Sequence, residues 1–262
     1  KEHFFFLLKY SINKLISEVP EKSFEKVEII GWLYQYYISE KKDNVFKKLK
    51  ENVKISKENV PAATQLFTPD WIVKYMIDNT IGKYGIKNGL PKEELKYYKE
   101  NTLSVDDKSI ENIKFIDPCC GSGHIIVYAF DLFVKIYETL GYNKKDIAQL
   151  VLENNLYGLD VDDRAGQLSI LALLLKAREY DKNIFKKDLK LNVMSIKETN
   201  DILDSDMLQL SEKSKKLYDK LIDTFMEAKE YGSLFQLKPE DFTPLLNEIN
   251  SVNNIFVSLY KS

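Results

Sequence analysis

Cysteine is almost missing from this chain of 262 residues: there are two, Cys119 and Cys120, and they are adjacent. Neighbouring cysteines have poor geometry for a disulfide, so no disulfide framework is available. With only His3 and His124 beside them, no zinc-ligand spacing exists either. Burial preference reads both cysteines as small filler in a turn. An excess of positive charge is also lacking, with 38 Lys+Arg against 40 Asp+Glu. That excludes the strongly basic surface of an autonomous DNA-binding module, though not a local basic face. No apolar run reaches the ~20 residues of a membrane helix; Leu168 to Leu175 is the greasiest stretch and suits a core helix. The start, Lys1 to Leu8, has no small-residue cleavage site, which excludes a signal peptide. The reading is a cytoplasmic protein with no membrane contact. An initiating Met is missing, so the sequence is expected to begin inside a longer protein.

Glycine is sparse at 10 residues, and charged residues make up 30%, a composition that suits a helix-rich protein. The length allows one generous domain, or one domain with a helical appendage. Residues 1 to about 62 read as a helical region. Ser23 is placed to cap a helix whose Val27, Ile30, Trp32, Leu33, Tyr36 and Tyr37 pack on a neighbour. Lys41 to Lys57 reads as a solvated helix or linker. Thr68 as N-cap, Pro69 at the first helical position and Asp70 in the first turn start the next helix, which carries Trp71, Ile72, Tyr75, Met76 and Ile81 and stops near Gly82 to Gly85. From Lys114 strand and helix alternate. The order is strand Phe115-Ile116, a helix to about Thr139 ended by Gly141, a helix from Lys144 to Asn154 capped by Asn143, and strand Leu156 to Asp160. A long helix with Leu168, Leu171, Leu174 and Leu175 and a third strand within Leu189 to Ile196 complete it. That order implies a parallel sheet with helices on its faces. Residues 201 to 231 read as an amphipathic helix ended by Gly232, and the remainder, through Pro239, as strand, turn and helix.

The chemistry concentrates at Phe115-Ile116-Asp117-Pro118-Cys119-Cys120-Gly121-Ser122-Gly123-His124. Two glycines at a strand-to-helix junction let backbone pass close to a ligand, and Asp117 at the strand end can accept hydrogen bonds from a cationic or hydroxylated group. The turn is neither G-x-G-x-x-G nor a phosphate loop ending in Gly-Lys-Ser/Thr, which sets aside NAD and ATP. A second acid, Asp160, closes the next strand, where a carboxylate accepts paired hydrogen bonds from ribose hydroxyls. Asp162 and Asp163 have a competing role as cap and first-turn acid of the following helix.

These segments resemble the N6-adenine-specific DNA methyltransferases. Asp117-Pro118-Cys119-Cys120-Gly121-Ser122-Gly123 is similar to their first motif and Tyr157-Gly158-Leu159-Asp160-Val161-Asp162 to their second. Gln65-Leu66-Phe67-Thr68-Pro69 resembles the element that closes over the methionine end of the cofactor. More narrowly, Glu28 to Tyr37 together with Thr64 to Pro69 is similar to the PglX family of BREX phage-defence systems, also labelled restriction-enzyme methylase subunits. The resemblance implies an α/β, Rossmann-like S-adenosylmethionine-dependent methyltransferase fold, partial, covering residues 63–262 behind the helical region of 1–62. It implies that Thr68 and Pro69 contact the methionine part, with Phe67 beside them or in the core. Asp117 faces the ammonium. Pro118, Cys119, Gly121 and Gly123 run their backbone along the cofactor. Asp160 holds the ribose, Val161 packs on the adenine, and Asp162 is ligand or cap. Glu198 and Asn200 are candidates to read the adenine ring. Double-stranded DNA is implied as the partner of the full-length protein, with defence-system proteins as further partners.

The sequence departs from the family in one respect. The catalytic Asn-Pro-Pro-Tyr, which holds the flipped base, has no counterpart, because no Pro-Pro occurs. The expectation is a cofactor-binding N-terminal part that is inactive alone, with no catalytic residue of its own. Two alternatives stand beside it: a cofactor-free scaffold that docks partners through its aromatic N-terminal helices, and a methyltransferase of RNA or protein.

Overall fold

The structure, a computed structural model, describes residues 29–100, 107–199, 210–226 and 242–250, with 13–14, 17–18, 20, 22, 27 and 228. Ser23, Asn200, Gly232, Pro239 and residues 251–262 lie outside the described residues. The chain divides into two compact units, Lys1–Lys54 with Pro61–Ser195, and Ile55–Val60 with Ile196–Ser262. No described helix is long and apolar enough to cross a membrane.

The first unit opens with helices α1 (Ile29–Lys50), α2 (Val60–Thr64), α3 (Asp70–Asp78) and α4 (Ile81–Lys87). Strand β1 (Phe115–Asp117) is followed by α5 (His124–Thr139) and α6 (Lys144–Leu150), then β2 (Leu156–Asp160), α7 (Asp163–Tyr180) and β3 (Asn192–Ser195). The strands lie parallel in the order β1-β2-β3, with Asp117 opposite Gly158 and Asp160 opposite Ser195. Helix between parallel strands is the doubly wound pattern that the alternation predicts, a partial Rossmann-like sheet. Both acidic strand ends therefore emerge at one edge.

Helix α5 is the centre of the core. Its Ile126, Ala129, Phe130, Phe133, Ile136 and Tyr137 are fully buried between the sheet and the surrounding helices. Each large side chain of that kind contributes roughly 1.5–3 kcal/mol by leaving water. Gly158 makes the approach of α5 to β2 possible, since a Cβ there would lie 2.7 Å from Ile126 Cδ1. Asn143 caps α6 through its side chain, which accepts from Lys145 N, and Val151–Asn155 continue that helix as one wider π turn.

Four sequence expectations shift. Helix α1 buries Tyr34, Ile38 and Val45, while Tyr36 is 82% exposed and Trp32 and Tyr37 also face out. Residues four and seven apart share a helix face, and the aromatic cluster straddles two faces. Helix α3 starts one residue later than expected: Pro69 keeps an extended ψ of 141°, its carbonyl accepts from Ile72 N and Val73 N, and Thr68 makes no capping bond. Its inner face is Val73, Ile77 and Asp78, and Trp71 is 57% exposed. Gly82 and Gly85 sit inside α4 rather than stopping a helix, because a Cβ would meet Leu95 Cδ1 at 2.7 Å and Ile136 Cγ1 at 2.9 Å. Helix α7 turns mostly small residues inward, with Ala165, Gly166, Ser169, Ala172, Leu173 and Ala177 buried, Leu171 exposed and Leu168, Leu174 and Leu175 half-buried. Small side chains let the helix lie close to the sheet.

In the second unit, α8 (Glu212–Phe225) is capped by Ser211. Glu248 accepts from Ser211 N, Ser211 Oγ and Ser214 Oγ at 2.7–2.8 Å, tying the helical residues 243–250 to the start of α8.

One buried polar side chain pins the entry to β1 and β2. Asn155, fully buried, donates to Ile110 O at 2.8 Å and Ile113 O at 2.7 Å and accepts from Tyr137 Oη at 3.0 Å. Asn155→Leu strands two carbonyls and a phenol in the core. The expected loss is about 3 kcal/mol or more, read as a lower urea midpoint; an unchanged midpoint would show that the pin is dispensable.

Candidate functional site

The turn after β1 is held by its own backbone: Cys120 N donates to Leu159 O and Gly123 N to Cys120 O, both at 2.9 Å. Its two glycines differ in purpose. Gly121, at φ 53°, has open space where a Cβ would point. Gly123, at φ 90°, leaves room for α7, because a Cβ would sit 2.7 Å from Ser169 Oγ and 3.0 Å from Ser169 Cα. One glycine bares the turn toward a cavity and the other seats a helix under it.

Asp160 joins the two strand ends. Its Oδ2 accepts from Gly121 N and its Oδ1 from Asp162 N, each at 2.8 Å. Each oxygen keeps a second lone pair for a further donor. Asp117 uses Oδ1 to accept from Cys119 N at 3.0 Å, while its Oδ2 is buried and has no partner. Burial raises its pKa above the ordinary carboxylate value, and the nearby Asp160 adds to this against the opposing Cys119 bond. A half-bonded carboxyl group is thus held at the wall of a cavity of about 330 Å³.

That cavity brings together Asp117, Pro118, Cys119, Gly121, Asp160, Val161, Asp162 and Thr68. Phe67 and Pro69 do not line it. They face an adjoining cavity of about 560 Å³, which also reaches Thr68, and Phe67 packs against the buried face of α1. Gly123 borders neither of these two cavities. Asp162 has two structural duties: its Oδ1 accepts from Arg164 N at 3.0 Å, capping α7, and its Oδ2 accepts from Tyr34 Oη. Glu198 belongs to the second unit. The cysteines do not behave alike. Cys120 is buried, its thiol pushed up to about 12 by burial first and Asp160 second, whereas Cys119 is exposed because its side chain stands on the cavity rim.

Gln65, Leu66, Ile125, Pro61 and Thr64 complete the cavity wall, and sequence reasoning gave none of them a role of its own. Gln65 and Leu66 stand in the segment already singled out, so that segment was the available signal. Tyr34 carried none, because its partner is 128 positions away.

Residues 93–221 match the family model described as MmeI, DNA-methyltransferase domain. The chain is 43% identical to the adenine-specific methyltransferase BrxX of Escherichia coli O9:H4 (strain HS), over 72% of this chain and 16% of that protein. It is 36% identical to the adenine-specific methyltransferase PglX of Lacticaseibacillus casei (strain Zhang), over 92% of this chain and 22% of the relative. The type II restriction enzyme and methyltransferase RM.Eco57I of Escherichia coli is 29% identical over 58% of this chain. The chain thus spans about a fifth of the length of the first two relatives. With its motifs ordered on one parallel sheet edge, the chain is similar over most of its length to proteins named as adenine-specific methyltransferases.

Proposed function

We propose that the cavity between the two acidic strand ends binds S-adenosylmethionine. On this reading the chain is the cofactor-holding part of a protein that methylates adenine N6 in double-stranded DNA, in restriction-modification or BREX phage defence. Residues 1–62 form its helical region and residues 63–262 the N-terminal part of its catalytic domain, and the protein works in the cytoplasm beside its DNA and defence-system partners. The observation that carries the reading is the unpartnered Oδ2 of Asp117, buried beside bare backbone and in one cavity with Asp160. A buried carboxyl oxygen without a donor calls for one, and the ammonium of a methionine moiety supplies it together with a positive charge. The relatives are named as methyltransferases, which disfavours a cofactor-free scaffold.

When bound, the cofactor supplies a methyl group activated on a sulfonium. The chain's own residues bind and orient it. Asp117 takes the ammonium. Asp160, held by Gly121 N and Asp162 N, offers its free lone pairs to the ribose hydroxyls. Pro118, Cys119 and Gly121 pass backbone along the ligand, Val161 supports the adenine, and Thr68 closes the methionine end, with Phe67 and Pro69 bracing that segment from the neighbouring cavity. Gly123 acts by seating α7.

Calorimetry tests the binding. Wild type should bind S-adenosylmethionine, and Asp160→Ala should lose at least about tenfold in affinity, since two charge-assisted hydrogen bonds go. Equal affinities would remove Asp160 from the site.

Asp117→Asn should separate stability from binding. The native pKa of Asp117 lies above the unfolded value of about 3.9, so the unfolded chain ionises first and stability falls as pH rises between the two values. The deficit persists at neutral pH. The asparagine variant, free of that cost, should melt higher without ligand at pH 7 and bind cofactor more weakly. A lower melting temperature in the unliganded variant would contradict the burial argument.

A radiolabelled methyl-transfer assay on adenine-containing duplex DNA should show no turnover by this chain alone, because Asn-Pro-Pro-Tyr is absent from it. Robust turnover would mean that other residues hold the base.

A further inference from the structure

We infer that helix α1 is a clamp on the cofactor cavity, with Tyr34 as its positioning residue; the inference rests on the cofactor reading above. Three separate segments build the cavity walls: the glycine turn, the stretch from Asp160 to Asp162, and the stretch from Pro61 to Thr68. Helix α1 touches all three. Gly31 lies against the glycine turn so closely that a Cβ would stand 2.8 Å from Ser122 Oγ. Tyr34 donates its hydroxyl hydrogen bond to Asp162 Oδ2. Lys42 Nζ donates to Gln65 O at 2.8 Å.

The Tyr34 bond begins a continuous chain. Tyr34 Oη donates to Asp162 Oδ2, Asp162 N donates to Asp160 Oδ1, and Gly121 N donates to Asp160 Oδ2. A phenol on the N-terminal helix is in this way connected, through two carboxylates, to the bare backbone of the turn. Tyr34 is only 6% exposed and packs with Ile38, Ala62, Ala165 and the half-buried Phe67, so its ring is fixed by burial before its hydroxyl is used. A side chain already locked by packing holds its partner without further loss of rotamer freedom. Asp162 needs such a holder, because its other oxygen is committed to Arg164 N at the start of α7. The carboxylate is thereby fixed from two sides, and the Asp160 carboxylate two residues earlier is kept turned toward the ligand.

Tyr34 touches no reacting atom, so its removal should act on affinity rather than on the fold. Tyr34→Phe keeps the ring and deletes one hydrogen bond to a charged group. Titration calorimetry of the whole chain with S-adenosylmethionine should show affinity lowered about five- to tenfold, with an unchanged circular dichroism spectrum. Tyr36→Phe, altered on the exposed face, should bind as wild type does. Gly31→Ala, which forces α1 off the turn, and Lys42→Met, which frees Gln65 O, should weaken binding in the same direction and carry the test if Tyr34→Phe does not fold. Wild-type affinity in folded Tyr34→Phe, with Asp160→Ala impaired, overturns the clamp and leaves the cofactor reading standing. Absence of binding by wild type itself removes the cofactor reading, and the clamp with it.

Discussion

The hydrogen bond from Gly121 N to Asp160 Oδ2 is the constraint on which the rest depends, because it joins two elements that sequence separates by 39 positions. Parallel pairing of β1 with β2 brings the strand ends to one edge. It does not by itself shape a turn. The carboxylate does so by fixing the one glycine whose outer side is open, while Cys120 N on Leu159 O anchors the same turn one residue earlier. A charge-assisted bond of this type is roughly twice as strong as a neutral one. The glycine turn therefore has a defined shape without any side chain filling it.

Close packing makes that edge possible. Gly158 admits α5 against β2, Gly123 admits α7 against the turn, and the small inward face of α7 keeps the helix near β3. Gly158 and Gly123 could not accept even a methyl group without a shift of their neighbours. Helix α3 is held to the same core differently. Asp78, fully buried, accepts from Tyr128 Oη at 2.8 Å and Tyr97 N at 3.0 Å, which fixes the helix that follows the Thr64 to Pro69 segment against α5. The cavity walls thus hang from a framework whose spacing is set by glycine and alanine and whose register is set by buried polar bonds.

Much of this was legible in the sequence, and the limits have physical causes. Strand and helix order from Phe115 to Ser195 follows from local periodicity and punctuation, such as Asn143 before α6 and Gly141 after α5. The convergence of Asp117 and Asp160 follows from the handedness and order of parallel strands. What local pattern cannot carry is which face of a helix turns inward. Helix α1 is apolar on more than one face, and its buried side is chosen by Ala62, Phe67 and Ala165, residues outside the helix. Helix α7 runs where the pattern places it, but its inward face combines Leu173 with alanine, glycine and serine, a choice set by close approach to the sheet rather than by leucine spacing. The double use of Asp162 as cap and as partner of Tyr34 is likewise invisible locally.

Buried polar side chains of the framework contrast with those at the cavity wall. Asn155 and Asp78 are as deeply buried as any core side chain, and both have donors or acceptors matched to their surroundings. Asp117 is nearly as buried, but one of its oxygens has no donor, and Gln65 Oε1, also without a partner, belongs to a residue lining the same cavity. An acceptor left unmade at a cavity wall raises the free energy of the unliganded state by an amount that a ligand's own donors can return on binding. At this cavity, Asp117 Oδ2 and Gln65 Oε1 thus stand apart from the matched polar atoms of Asn155 and Asp78 before any chemistry is assigned to them.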